Sequence, residues 1–366
     1  MKILSKISKS VFSAIGLMLL AGCSSASDPQ LPEKAGKQAE MKKFANEISA
    51  QRMLLVLSAP SVHDPYYKAA FQQIVDFQID YARSILGHDN VVIIADEDTQ
   101  PFYAGKVPED ILLVDDVRDI WMRDFSTVNP AQPVQFTYTW ASMTEKQSRQ
   151  VQKSFNDFAD RYGIQRRHSG LLLDGGNIVD DYAGRIITTA RFMQDNELTY
   201  KQAKQELKRA LGASQVAILE PDEEVLAHSD GMASWVDENT LLVNDYSQTP
   251  SFRTLVLDEL KASFPAAKIV EVPVQYQTNP RGQWEGFESA CGVNLNAAVT
   301  YNYIYVPTFN MPHDQAALNI IRKNTSQQVI PVNAESVCPM GGSVRCLTWQ
   351  LSGENARKLI LAAREL

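Results

Sequence analysis

The residue best suited to covalent chemistry in this chain is a cysteine near its C-terminal end. Cys346 follows a pair of glycines, Gly341 and Gly342, and the cation Arg345. A cysteine attacks as its thiolate and needs a nearby cation or base, and glycines let the backbone approach a ligand closely. The string predicts a nucleophile, and a small buried residue is the alternative interpretation of Cys346.

Two other cysteines decide whether that thiol is free. Cys291 and Cys338 suit buried positions, and in an oxidising compartment they could pair with each other. A bridge between Cys338 and Cys346 is the rival arrangement, and it would remove the nucleophile. The sequence leaves both pairings open.

One histidine stands beside an acid. In the string His228-Ser229-Asp230, the first and third side chains would point to one face if the segment were extended. The pair suits proton transfer, while a structural hydrogen bond and a pair of metal ligands are alternatives. No third ligand is apparent, and Cys-x-x-Cys and His-Glu-x-x-His are absent from the sequence, so no metal site is expected.

Two further polar strings carry carboxylates. The first runs from Asp119 to Asp124 around Trp121, and the second from Asp174 to Asn177 around two glycines. Each has a simpler alternative: a surface Arg–Asp turn for the first, and for the second a plain turn, because Gly and Asn tolerate positive φ.

Composition and absent motifs exclude several functions. The 366 residues are 45% apolar and 21% charged, as in a globular protein, and the net charge of −8 argues against nonspecific nucleic-acid binding. The sequence has no Gly-x-Gly-x-x-Gly after a strand-like run, no phosphate loop and no Gly-x-Ser-x-Gly. Neither a nucleotide site nor a nucleic-acid partner is therefore predicted.

The elements that must position these strings repeat along the chain. Four stretches, 53–94, 186–219, 241–272 and 303–332, each read as a strand, a polar turn, an amphipathic helix and a β-branched strand. Helices lying between strands predict an α/β fold. Each polar string abuts a strand-like run, so modules arranged around a common axis would bring the strings together, and an open doubly wound sheet is the alternative.

The N-terminal residues are interpreted as a lipoprotein signal. Residues 1–22 combine three lysines with an apolar run too short to span a bilayer. The run ends in Leu20-Ala21-Gly22-Cys23, which resembles the bacterial lipobox and implies cleavage before Cys23 and its lipidation. A plain secretory signal with an incidental cysteine is the alternative.

The expected location follows from that signal. Ser24 after the lipidated cysteine, by resemblance to lipoprotein sorting rules, favours the outer membrane, on its periplasmic side or at the surface. Residues 23–50 are expected to form a tether and residues 51–366 a single domain. No other run is apolar enough to cross a membrane, so a lipid anchor would be the only membrane attachment.

Taken together, the four strings resemble the agmatine deiminase and bacterial peptidylarginine deiminase family. Its pattern is Asp-x-Trp-x-Arg-Asp, then acid-Gly-Gly-Asn, His-x-Asp-x-x-Ala and Gly-Gly-x-x-x-Cys, in the order found here over about 53–351. The resemblance implies a single-domain αβ-propeller of pseudo-fivefold symmetry, built from repeated strand-helix-strand modules, without a cofactor.

The same resemblance implies a role for each residue. Cys346 would attack the carbon of a guanidinium, and His228 would act as the acid and base. Asp124 and Asp230 would grip the N–H groups of the guanidinium. The remaining candidates are assigned to substrate binding: Trp121, Asp174, Asn177 and Arg345.

The predicted activity is hydrolysis of a C–N bond of an amidine. A guanidino group in agmatine, in free arginine or in a peptide would become a ureido group and ammonia, and agmatine deiminases of this type serve putrescine biosynthesis. Asp174 stands where the family often has Glu, and Arg345 where it often has His. Two alternatives remain, a noncatalytic guanidino-binding lipoprotein and an amidinotransferase-like enzyme.

Overall fold

The computed structural model describes residues 44–139, 144–277, 284 and 288–365. These residues belong to one compact unit, Lys43–Leu366. Within them, no helix is both long enough and apolar enough to cross a membrane. The predicted signal, the predicted lipidation site at Cys23 and most of the predicted tether lie outside the described residues.

The described residues alternate short strands with helices. The strands are β1 (Leu54–Ser58), β2 (Asn90–Ala95), β3 (Leu112–Val114), β4 (Thr127–Val128), β5 (Val134–Thr137), β6 (Arg167–Leu172), β7 (Val179–Asp180), β8 (Arg185–Thr189), β9 (Gln215–Leu219), β10 (Ala233–Trp235), β11 (Thr240–Asn244), β12 (Lys268–Val272), β13 (Ala298–Val299), β14 (Tyr303–Thr308), β15 (Gln328–Asn333) and β16 (Trp349–Leu351). The helices are α1 (Phe71–Ile85), α2 (Met122–Phe125), α3 (Glu145–Arg161), α4 (Arg191–Asp195), α5 (Tyr200–Leu211), α6 (Pro250–Ser263), α7 (Asp314–Lys323) and α8 (Gly353–Arg364).

The described strands form five sheets of one pattern. In each, a central strand pairs in parallel with the strand that follows its crossover helix, and antiparallel with a short outer strand. The central strands are β1, β5, β8, β11 and β14, and their outer partners are β16, β4, β7, β10 and β13. The first sheet also carries β3 beside β2. The α/β prediction is confirmed.

The module of β8, α5 and β9 illustrates why the sequence folds this way. Thr199 and Gln202 form a capping box at the start of α5, and Gly212 ends the helix in the left-handed conformation, at φ 68°. Ala203 and Leu207 lie on its buried face, as the helical period of the sequence predicts. Both strands are mostly buried, with four β-branched residues in β8 and two in β9.

The structure adds a module that the sequence patterns did not reveal. It consists of β5, α3 and β6, and α3 buries Phe155 and Phe158 against Trp349 of β16. The last strand reads Arg-His-Ser-Gly-Leu-Leu and is largely exposed. Because it lacks the β-branched residues found in the last strand of the other modules, its sequence did not predict a strand.

Packing onto the body begins before Met53, where the sequence placed the start of the fold. Asn46 exchanges two hydrogen bonds with the backbone of Val91 in β2, and the backbone N–H of Glu47 donates to Oδ1 of Asn90. The assignment of residues 23–50 to a tether stays a prediction.

Cys291 and Cys338 are joined by a disulfide, with their Cα atoms 4.8 Å apart. Of the two pairings that the sequence left open, the structure has this one, and Cys346 is a free, buried thiol.

Candidate active site

Each polar string lies immediately before the short outer strand of a module. The string 119–124 contains α2 and leads into β4. The string at Asp174 forms a 3-10 turn, Gly175–Asn177, before β7, and Ser229–Gly231 forms another before β10. The string that ends at Cys346 precedes β16. The contacts described below bring all four together.

The backbone links the first string to the nucleophile. The N–H of Arg123 donates to the carbonyl of Cys346 at 3.1 Å. The Arg123 side chain is buried and donates from Nη2 to Oε1 of Gln350 at 2.5 Å. This fixes α2, and with it Asp124, beside the loop that carries Cys346.

The two glycines of the second string are required by close contacts. A Cβ on Gly175 would lie 2.0 Å from the carbonyl oxygen of Arg123, and one on Gly176 would lie 2.5 Å from Nδ1 of His228. Neither glycine has a positive φ. The predicted turn is present, but the reason for its glycines is space at the site rather than backbone conformation.

The third string differs from its predicted extended form. His228 has extended backbone, but Ser229–Gly231 is a 3-10 turn, so strand alternation does not govern where the side chains point. The ring of His228 instead lies between two acids of other strings. Nε2 is 3.2 Å from Oδ2 of Asp174, and Nδ1 is 3.8 Å from Oδ1 of Asp124.

These two acids set the charge of His228. Burial lowers the pKa of His228, but Asp124 and Asp174 outweigh burial and raise it to about 9. His228 is therefore an imidazolium at neutral pH, able to donate a proton.

The acids respond differently to the same histidine. Burial raises the pKa of Asp124 to about 7, because the attraction of His228 offsets only part of the cost. Burial also opposes ionisation of Asp174, but its hydrogen bonds to His228 and Thr139 hold the pKa of Asp174 below its ordinary value. The backbone N–H of Thr139 donates to Oδ1 of Asp174 at 2.8 Å, so this carboxylate has donors on both oxygens.

Cys346 lies between an amide and an acid. Nδ2 of Asn296 donates to Sγ at 3.1 Å, and Sγ is 3.8 Å from Oδ2 of Asp230. Burial raises the pKa of Cys346 well above its ordinary value, and Asp230 adds to the rise, while the bond from Asn296 opposes it. The free protein therefore holds Cys346 as a neutral thiol.

Sequence reasoning missed Asn296. It lies in the apolar stretch 293–299, just before β13. Only its position along the chain could have indicated a role for Asn296, since the outer strand of every other module is preceded by a polar string. Its Oδ1 accepts from the hydroxyl of Ser343 at 2.9 Å and from the N–H of Arg345 at 3.2 Å, which fixes the loop before Cys346.

A cavity of about 260 Å³ opens onto the reactive groups. Its described lining residues include those of the site, Cys346, His228, Asp230 and Asn296, and others around them, Asp222, Glu223, Leu226, Gly231, Tyr276, Glu288, Ser289, Ala290, Val293 and Gly341. The disulfide lies beside the residues that line the cavity. Of these, Ala290 directly precedes Cys291 and Gly341 follows shortly after Cys338 in the sequence. The described residues contain no group of three or more metal-binding side chains.

The predicted substrate-binding residues are not among these lining residues. Trp121 packs on Gly342, where a Cβ would lie 2.5 Å from its ring. Oδ1 of Asn177 accepts from the backbone N–H groups of Thr189 and Ser229, so in the structure it joins two strings.

The other two also contact protein groups. Asp174 holds His228, and Arg345 is buried with Nη1 2.9 Å from Oδ2 of Asp230. The substrate contacts of Trp121, Asp174, Asn177 and Arg345 stay predictions.

Comparison with known proteins gives a family and a fold. Residues 43–351 match the family model of the Porphyromonas-type peptidyl-arginine deiminases. The structure is similar to C. jejuni agmatine deiminase, with a TM-score of 0.68 and 19% identity over 84% of this chain and 96% of that one. It is also similar to the agmatine deiminase of Enterococcus faecalis, with a TM-score of 0.65 and 15% identity over 86% and 97%. No curated protein matches the sequence.

Proposed function

The chain belongs to the Porphyromonas-type peptidyl-arginine deiminase family, and we propose that it hydrolyses a guanidino group to a ureido group and ammonia. The observation that carries this proposal is the single cavity onto which Cys346, His228 and Asp230 open. A free thiol, an imidazolium and a carboxylate are the nucleophile, the acid and the cation ligand that the reaction requires. The substrate class is agmatine, free arginine or arginine within a peptide.

Asp124 and Asp230 bind the substrate guanidinium in this proposal. A planar guanidinium offers paired N–H groups to carboxylate oxygens. Within the described part of the chain, Oδ1 of Asp230 receives no hydrogen bond, whereas Oδ2 is held by Arg345. One oxygen of Asp230 is thus available to the substrate. Trp121 stays a predicted partner for stacking on the cation.

Substrate binding also activates the nucleophile. Burial and Asp230 keep the Cys346 thiol protonated in the free protein, and the positive guanidinium stabilises the thiolate once it is bound. The proton of Cys346 passes to solvent as the substrate enters. Sγ then attacks the central carbon and forms a tetrahedral adduct.

His228 next moves the protons of the C–N bond cleavage. The imidazolium donates its proton to the departing nitrogen, the C–N bond breaks, and ammonia leaves behind a thiouronium on Cys346. The neutral imidazole then takes a proton from water, whose oxygen attacks the same carbon. The C–S bond breaks with its electron pair on Sγ, the proton of the added hydroxyl moves to that sulfur, and the ureido product is released from the restored thiol. Asp174 keeps the ring of His228 in place through both steps.

We also propose the pseudo-fivefold propeller for the fold. Five sheets of one pattern support it, as do the contacts between polar strings that all precede outer strands. A common axis through the four strings and the segment of Asn296 would bring the reactive groups to its centre, with each module contributing one of them.

For location, we propose a lipoprotein of the cell envelope, anchored through Cys23. The lipobox resemblance supports it, and so does the Cys291–Cys338 disulfide, since disulfides persist in oxidising compartments. The full-length chain should fractionate with membranes, and Cys23→Ser should release it. Release of the wild type, or membrane retention of the variant, would contradict lipid anchoring.

The activity is tested on the domain from residue 44 with agmatine, free arginine, and peptides carrying N- or C-terminal arginine. Release of ammonia with citrulline or carbamoylputrescine is expected for at least one substrate. Saturable binding without ammonia would instead identify a noncatalytic binding protein. Turnover that needs an amine acceptor and frees no ammonia would identify an amidinotransferase.

A further inference from the structure

Arg345 precedes the nucleophile, yet its guanidinium is bound inside the protein. Nη1 donates to Oδ2 of Asp230 at 2.9 Å, and Nη2 donates to the backbone carbonyl of Ile178 at 2.6 Å. Its side chain is 9% exposed and that of Asp230 is 2% exposed. The guanidinium is planar, and each of its two terminal nitrogens has an acceptor, so it has one preferred orientation. Arg345 therefore holds Asp230 in a fixed position.

Asp230 needs such a cation. The structure places it near two acidic or potentially acidic groups, Asp124 and Cys346, and near the cations His228 and Arg123. Among the described residues, Arg345 is the one cation that forms a hydrogen bond with it. A carboxylate buried without such a partner is strongly destabilised.

A second buried acid supports the guanidinium from another side. Asp180 and Arg345 attract each other, and Oδ2 of Asp180 has no hydrogen-bond partner among the described residues. Arg123 attracts Asp180 as well. The two arginines, Arg123 and Arg345, thus form a buried cluster of opposite charges with Asp180 and Asp230.

We infer that Arg345 is a positioning residue, which orients Asp230 and balances its charge for the substrate guanidinium without contacting the substrate. This inference rests on the proposed function. It replaces the substrate contact predicted for Arg345 from the sequence by action through a single carboxylate.

The arrangement gives Arg345 two effects. Loss of Arg345 leaves Oδ2 of Asp230 without its hydrogen-bond donor, so the carboxylate is no longer held in place for the guanidinium. It also leaves the charge of Asp230 unbalanced, with Oδ2 3.8 Å from Sγ. Substrate affinity therefore falls, and the thiol of the free protein ionises less easily.

The test compares Arg345→Gln with the wild type in two measurements. In steady-state kinetics, KM should rise about 10- to 100-fold, with a smaller change in kcat. In alkylation of Cys346 by iodoacetamide without substrate, the pH at which the rate reaches half its maximum should rise. Arg166→Gln is the control, because Arg166 is also buried and bonded to Gln135 and Asp160, and it should change neither measurement.

Arg345→Lys keeps the charge and decides the matter if Arg345→Gln does not fold. Its alkylation profile should match the wild type, and its KM should rise less than about 10-fold, since one donor prong is lost. An unchanged KM in both variants would overturn the inference. So would a KM increase confined to arginine substrates with unaltered alkylation, because that result would place Arg345 on the substrate carboxylate. Alkylation measures the reactivity of the Cys346 thiol without turnover. This measurement therefore separates failure of this inference from failure of the proposed activity.

Discussion

The side chain of Asn296 holds both the sulfur and the backbone of Cys346. Its Nδ2 donates to Sγ at 3.1 Å, and its Oδ1 lies 3.4 Å from the backbone nitrogen of Cys346 and accepts that N–H. The donor stabilises a thiolate, and the acceptor fixes the direction from which that thiolate attacks. The two residues belong to different strings, 50 positions apart.

Asn296→Ala should lower kcat/KM about 10- to 100-fold, because a hydrogen bond to a charged group is lost and the loop before Cys346 is loosened. Alkylation of the thiol by iodoacetamide should shift to higher pH. The exposed Asn302, which bonds the carbonyl of Gln51, supplies the control Asn302→Ala. Equal kinetics in both variants would show that Asn296 does not act on the nucleophile.

Cys346→Ser should reduce ammonia release about 10³-fold or more, since a hydroxyl is a far weaker nucleophile than a thiolate at neutral pH. The melting temperature should stay within about 2 °C of the wild type, because one sulfur is exchanged for a smaller oxygen. Residual turnover near the wild-type rate would show that another residue is the nucleophile.

The rate should depend on pH through two groups. Asp124 must be ionised to bind a guanidinium, and burial raises its pKa to about 7, so kcat/KM should rise as the pH increases through that value. His228 must carry a proton, and although burial opposes it, the neighbouring acids raise its pKa to about 9, so kcat/KM should fall above that pH. A bell-shaped dependence of kcat/KM on pH, centred near pH 8, is expected. A profile that is flat between about pH 6 and 8 would argue against the role of Asp124.

Gly176→Ala should impair catalysis with little loss of stability. The added Cβ would lie 2.5 Å from Nδ1 of His228 and 2.7 Å from Oδ1 of Asp124, so the acid–base residue must shift. We expect kcat/KM to fall at least about 10-fold, since small displacements of catalytic groups are costly. In Gly170→Ala the new Cβ meets no atom within 4 Å, and this control should retain wild-type activity.

The disulfide should stabilise the wall of the cavity. It joins residues 47 positions apart, and the chain-entropy effect of such a link is about 2–4 kcal/mol. Replacing both Cys291 and Cys338 by serine should lower the melting temperature by several degrees and make it insensitive to a reducing agent. Cys346→Ser should keep the reducing-agent sensitivity of the wild type. If it did not, the Cys291–Cys338 pairing would be contradicted.

The sequence by itself determined four modules, because each of them combines an amphipathic helix with a β-branched strand after it. The module around α3 escaped prediction because its last strand, Arg167–Leu172, contains no β-branched residue. The sequence also determined the four chemical strings, since each one combines its residues within six consecutive positions.

Only the tertiary structure decided which side chains meet. Asp174 and His228 are 54 positions apart, and Arg345 and Asp230 are 115 apart. Such pairs are set by the packing of modules on one another, and no local period records that packing. For the same reason, the structure was needed to identify the disulfide partner of Cys338. It was also needed to show that Arg345 binds Asp230 and that Asn296 contacts the nucleophile.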